Sequence, residues 1–209
     1  MSQFQRVQTY TDIGKANWRK GLFRSIKDPT NEMTQVIDSY LDKEKKSITQ
    51  LIGKNFDISN EDYTKYEFVW LPYRASFQGA EADEPFEMNA SVTVLLTKPR
   101  SLILSTRKYR FTLAKGCGNT GTVRVYESES YSMEEIYYNK ITSVSSYHNE
   151  STYQIVNEGC ASKEGTLKIN EDGFTIRAGE NFTVLAADKF SGELAEARSF
   201  INKKISEVN

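Results

Sequence analysis

The chain has one histidine and two cysteines in 209 residues, and both shortages narrow its chemistry. A single histidine cannot build a metal site of several His ligands, and it limits imidazole acid–base work to one residue. That residue, His148, lies in the polar stretch Tyr147-His148-Asn149-Glu150, which reads as a surface turn. Cys117 and Cys160 cannot make a structural zinc site by themselves. Both lie beside glycines in expected loops, and with no disulfide-dense pattern they are expected to be free thiols of a reducing compartment. No run of 18 apolar residues occurs, so no helix is expected to span a bilayer. The opening residues Met1 to Arg6 lack the apolar core of a secretory signal. An excess of one charge is missing too: 27 Lys and Arg stand against 28 Asp and Glu, which gives no global attraction to nucleic acid. Walker loops, G-x-G-x-x-G after a strand, G-x-S-x-G and H-E-x-x-H are all absent. The expectations are no metal, no cofactor, no nucleic-acid partner and no enzymatic activity, in a cytoplasmic protein.

What is present is charge in blocks. Residues 13–27 carry Lys15, Arg19, Lys20, Arg24 and Lys27 without an acid. Residues 57–87 are acidic. Residues 98–124 hold seven bases and no acid, and Glu127, Glu129, Glu134 and Glu135 follow. Such blocks make a polarised surface, or they belong to neighbouring strands that neutralise one another.

The apolar period divides the chain near residue 58. Before it, helices are expected. Asp12 is placed to cap one whose apolar side is Ile13, Trp18, Leu22, Phe23 and Ile26. Asp28 is the expected N-cap of a second, with Pro29 at its first position and Gly53 as its stop. From Tyr63 the period becomes two. Strands are expected around 66–71, 92–96, 101–105, 109–113, 122–127, 134–138, 141–147 and 151–156. Hairpins are then expected at Asp172-Gly173 and Ala178-Gly179. Phe190, Leu194, Ala197, Ile201 and Ile205 form one helical stripe at the end. Two segments result: a helical N-terminal extension over 1–58, and a β-domain with a C-terminal helix over 59–209.

The stretch Ile136-Tyr137-Tyr138-Asn139-Lys140-Ile141-Thr142-Ser143-Val144 resembles a mid-domain strand of bacterial pleckstrin-homology-like, GRAM-type domains. Phe182-Thr183-Val184 running into the Glu/Ala/Lys-rich helix 193–204 resembles their last strand and capping helix. The likeness covers roughly the C-terminal half. It implies an α+β fold: a bent antiparallel β-barrel capped by the C-terminal helix, here preceded by the helical extension. It also implies an interaction module that takes a protein or peptide partner, because such folds add an extended peptide to an exposed strand edge.

The alternative partner is an anionic membrane surface, which would make the protein peripheral to a membrane. Lys98 and the run Lys108-Tyr109-Arg110-Phe111 resemble the basic motif of phosphoinositide-binding members. Here, though, Ser101–Ser105 reads as a strand where a loop is usual, and Thr112 replaces an apolar residue. Alternation places Lys108 and Arg110 on one strand face, and Lys115 and Arg124 complete the basic set. In the first helix, Trp18, Arg19, Leu22 and Phe23 would meet either a membrane or a partner. The same residues suit packing against the sheet equally well.

Overall fold

The computed structural model describes residues 9–18, 28–56, 58, 63–78, 81–155, 165–187 and 192–208. The fold is α+β. Strands β1 (Thr11–Asn17), β2 (Thr64–Trp70), β3 (Ser76–Phe77), β4 (Phe86–Thr97), β5 (Ser101–Ala114) and β6 (Thr120–Tyr137) form one antiparallel sheet. Its order is β1-β6-β5-β4-β2, with β3 on the flank of β4. A 3-10 turn, Tyr138–Lys140, leads to the second sheet: β7 (Ile141–Ile155), β8 (Gly165–Ala178) and β9 (Asn181–Ala187), in that order. Helix α1 (Thr30–Phe56) precedes β2, and helix α2 (Gly192–Val208) follows β9.

Each helix closes one core. Met33, Ile37, Leu41, Ile48 and Ile52 of α1 lie buried on one face of the first sheet, against Val92, Val94, Leu96, Ile103, Phe111 and Val123. The opposite face contributes Phe68, Leu95, Leu102 and Leu104 to a second core. Phe174 and Ile176 of β8, Leu185 of β9, and Leu194, Ala197 and Ile201 of α2 complete it. The run Val92–Leu96, Thr93 included, is therefore buried without alternation because both faces of β4 are covered there. Of the C-terminal stripe expected from sequence, Leu194, Ala197 and Ile201 are core, Ile205 packs at its margin, and Phe190 lies outside the described residues.

The start of α1 follows its sequence signals. The Asp28 carboxylate accepts from the Thr30 amide at 2.9 Å, and the Met33 amide donates to the Pro29 carbonyl at 2.8 Å. Gly53 does not stop the helix, which runs three residues further to Phe56. Ile58 lies 3.7 Å from where a Gly53 side chain would begin, an ordinary contact distance, so packing does not require glycine there.

Two further expectations are corrected. Residues 11–17 are a strand paired antiparallel with β6, not a helix capped by Asp12. Ala16 and Trp18 are buried two residues apart, a strand period, and Gly14 disfavours helix. A Cβ on Gly14 would stand 2.6 Å from Val36 of α1, so glycine lets the strand lie this close to the helix. The segment 1–58 thus supplies one strand of the first sheet. Asp172-Gly173 is no hairpin turn: β8 runs straight through it, opposite Tyr147 and His148 of β7. Long-range pairing to β7 outweighs the local turn signal. The turn falls instead at Ala178–Asn181, where Gly179 takes φ 61.

Candidate functional site

Strand β6 positions the site. Its first half, Thr120 to Val125, pairs with β1. Its second half, from Tyr131 to Tyr137, pairs with β5 alone, so one edge carries no further strand among the described residues. The break between the halves is a bulge, where Arg107 pairs with Tyr131 but Tyr109 with Glu127.

Register fixes where the side chains of that second half point. Tyr131, Met133, Glu135 and Tyr137 share the face that α1 covers further along the sheet, and Met133 packs at the margin of that core. Ser132, Glu134 and Ile136 share the other face, with Ile136 in the second core. Tyr131 and Tyr137 remain 52% and 53% exposed. Beside this edge lies an open groove of about 510 Å³ between β6, the 3-10 turn and the β8–β9 turn. Glu134, Tyr137, Asn139, Lys140, Gly179 and Asn181 are among its lining residues.

The acids of the groove have different surroundings. The Glu135 carboxylate accepts from the Ser101 hydroxyl at 2.7 Å and from the Lys98 ammonium at 3.2 Å. Burial pushes its carboxyl up, but those two hydrogen bonds outweigh it and hold the group below the usual carboxylate range. Glu134 accepts from the Thr183 hydroxyl of β9 at 2.7 Å.

The basic residues singled out in the sequence are spread along the first sheet. Lys98 stands at the β4–β5 turn and Lys115 at the β5–β6 turn, separated by all 14 residues of β5. That is on the order of 40 Å at strand spacing, too far for one headgroup to bridge. Lys108 and Arg110 do share a face, opposite Ser91 and Asn89 with Tyr109 buried between them. Arg110, however, lies 3.6 Å from Glu87 and stacks on Tyr126 at 4.3 Å. Arg124 pairs with Asp12 and with Glu84, both at 3.2 Å, and covers the Tyr10 ring at 4.1 Å. Lys115 donates to the Glu81 carbonyl at 2.9 Å. Lys108 is exposed, with no acid partner among the described residues. The charge blocks of the sequence meet across the sheet and neutralise.

The centre of that network is Glu84, which accepts from the Tyr126 hydroxyl at 2.6 Å and from Arg124. Burial pushes its carboxyl up, and the bonds from Tyr126 and Arg124 more than reverse this, leaving it below the usual range. The same contact, after burial, raises Tyr126.

The remaining sequence candidates fall elsewhere. Trp18 does not sit on an exposed helix: it is 2% exposed and packs edge-on against Phe86 at 6.2 Å, so it faces neither membrane nor partner. Arg19, Leu22 and Phe23 lie outside the described residues, as does Cys160. Cys117 is exposed and unbridged in the β5–β6 turn. His148 is on β7, not in a turn, with its ring Nδ1 2.6 Å from the Asp172 carboxylate. Among the described residues no three His, Cys, Asp or Glu side chains gather as a metal site, and no helix is long and apolar enough to cross a membrane.

Sequence reasoning placed a strand over 134–138 but missed that, among the described residues, β5 alone pairs with it. The available signal was the run from Tyr126 to Asn139, four acids without a base, which suits an exposed edge. Comparison with known proteins returns nothing: no family model, no curated protein and no solved structure matches the chain.

Proposed function

We propose that the chain is a non-enzymatic interaction module of pleckstrin-homology-like plan that binds an extended protein or peptide segment along an exposed sheet edge. The topology supports the plan. β2, β4, β5 and β6 form a four-stranded antiparallel succession, and β7, β8 and β9 a three-stranded one. The C-terminal helix packs into the core between them. In this reading β1 and α1 are additions to that framework, one on its edge and one on its outer face.

The observation that carries the binding mode is the second half of β6, which pairs with β5 alone among the described residues and lies beside the groove. An edge strand offers a row of backbone donors and acceptors to an incoming strand, and the flanking side chains give specificity. Membrane attachment, the rival, draws less support. Arg110 and Arg124 are already paired with carboxylates, and the five candidate bases do not converge.

Selection from a displayed library of random peptides tests the proposal. Enriched sequences whose binding is destroyed by a central proline are the expected result. No enrichment, together with sedimentation on anionic vesicles that Lys108→Glu and Arg110→Glu abolish, would replace it with the membrane reading.

A further inference from the structure

We propose that the seam between α2 and β7 binds a phosphate group through Arg198. The site stands apart from strand addition on β6: it uses other elements and takes another ligand.

Burial and charge supply the first observation. Arg198 reaches from α2 to β7 and is partly buried, with its Nη1 donating to the Ser146 hydroxyl at 2.6 Å. Its Nε is out of solvent and has no hydrogen-bond partner among the described residues. No carboxylate of a described residue pairs with it. A guanidinium held partly out of water is ordinarily matched by an anion. Here one neutral hydroxyl answers it.

The acids nearby are engaged elsewhere or turned away. Ser146 and His148 share a face of β7, opposite Phe174 and Asp172. The Asp172 carboxylate lies 2.6 Å from the His148 ring, and Glu171 accepts from the Tyr147 hydroxyl at 3.2 Å. Glu150, further along β7, has an interaction of its own. On α2, Glu207 accepts from Lys204.

Space is the second observation. Beside the guanidinium lies an open depression of about 260 Å³, with Ala195, Arg198, Ser199 and Asn202 among its lining residues. The short side chains of Ala195 and Ser199 leave the room. At about 100° per residue, the four positions span about 100° of the helix circumference, and Glu193, Glu196 and Glu207 fall outside that sector.

Donor chemistry then selects the ligand. A guanidinium alone suits a carboxylate, two oxygens in one plane. The Ser199 hydroxyl and the Asn202 amide add donors at separate points of the wall, and Ser146, accepting from Arg198, keeps its own hydrogen to donate. Donors spread in this way fit an anion whose oxygens point in three directions. A soluble phosphate ester and a lipid headgroup share that chemistry.

The test follows the Arg198 Nε–H signal and the α2 backbone amides of the intact protein by NMR. Inorganic phosphate, glycerol 3-phosphate, acetate and chloride are added at matched ionic strength. Phosphate and its ester are expected to give saturable shifts centred on 195–202, and chloride none. Arg198→Lys, which keeps the charge and loses the planar fork, is expected to weaken binding roughly tenfold. Asn202→Asp, on the exposed wall, is expected to abolish binding at an unchanged Tm. Sedimentation with phosphatidylcholine vesicles, with and without phosphatidic acid, separates the sources. Capture that needs phosphatidic acid and Arg198 assigns the site to a headgroup. Ester binding without capture assigns it to a soluble ester.

Acetate binding as tightly as phosphate would overturn the phosphate in favour of a carboxylate. No saturable shift at 195–202, or shifts that survive both Arg198→Lys and Asn202→Asp, would overturn the site.

Discussion

The two halves of β6 are one strand in two environments. From Thr120 to Val125 it lies between β1 and β5, with Val123 and Val125 buried under α1. From Tyr131 to Tyr137 it has β5 alone among the described residues, half-exposed tyrosines at each end and a groove alongside. The first half shows what the N-terminal segment does: it closes an edge and anchors a core. The second shows an edge that no further strand among the described residues covers. Backbone pairing groups and aromatic rings at such an edge are the usual means of gripping an extended partner.

Removing what closes the first half should have the largest effect. Trp18 directly follows β1, is 2% exposed and seals the core beneath α1. Trp18→Ala is expected to cost about 3–5 kcal/mol in denaturant unfolding. A change within about 0.5 kcal/mol would mean that β1 is ornamental, and the contrast between the halves would fail.

The second core provides the next test. Leu194 is fully buried where α2 meets the second sheet. Leu194→Ala is expected to cost about 2–5 kcal/mol. An unchanged Tm would show that the helix does not cap the structure.

A smaller effect concerns the ion network at the covered end. Glu84 has its folded pKa depressed below the ordinary 4.5 by Tyr126 and Arg124 acting against burial. A depressed carboxylate contributes stability that is present above its unfolded pKa and lost as pH falls through the folded one. Stability should therefore decline below pH 4.5, and less steeply in Glu84→Gln. Parallel acid titrations of the two proteins would contradict the network.

The smallest effect belongs to the open half. Tyr131 is 52% exposed, with the Arg107 guanidinium 5.5 Å from its ring. Tyr131→Ala should change stability by no more than about 0.5 kcal/mol. It should nevertheless weaken a ligand bound on that edge. A large stability loss would make Tyr131 a structural residue and blunt the contrast.

Much of this was legible before folding. The helix starting at Asp28-Pro29, the period-two strands and the C-terminal stripe were all readable from local pattern. What failed did so where distant partners decide. Ile13, Trp18 and Leu22 have helical spacing, but Thr11–Asn17 finds β6 over a hundred residues later, and pairing won. Asp172-Gly173 carries a strong turn signal that β7 overrides. For the site, Lys108 and Arg110 were placed on one face by alternation. Their counter-charges, such as Glu87 beside Arg110, came from another strand and were invisible to spacing. The edge that no further described strand covers was the least legible feature, because an edge is defined by what does not pair beside it.

Residue-resolved hydrogen exchange along β6, with and without a peptide selected from the displayed library, tests the central claim most directly. The account predicts slow exchange throughout 120–125. Between 131 and 137 it predicts fast exchange at the amides turned away from β5, slowing when the peptide is added. Uniformly slow exchange along the whole strand in the free protein, or fast edge amides that the peptide leaves untouched, would contradict it.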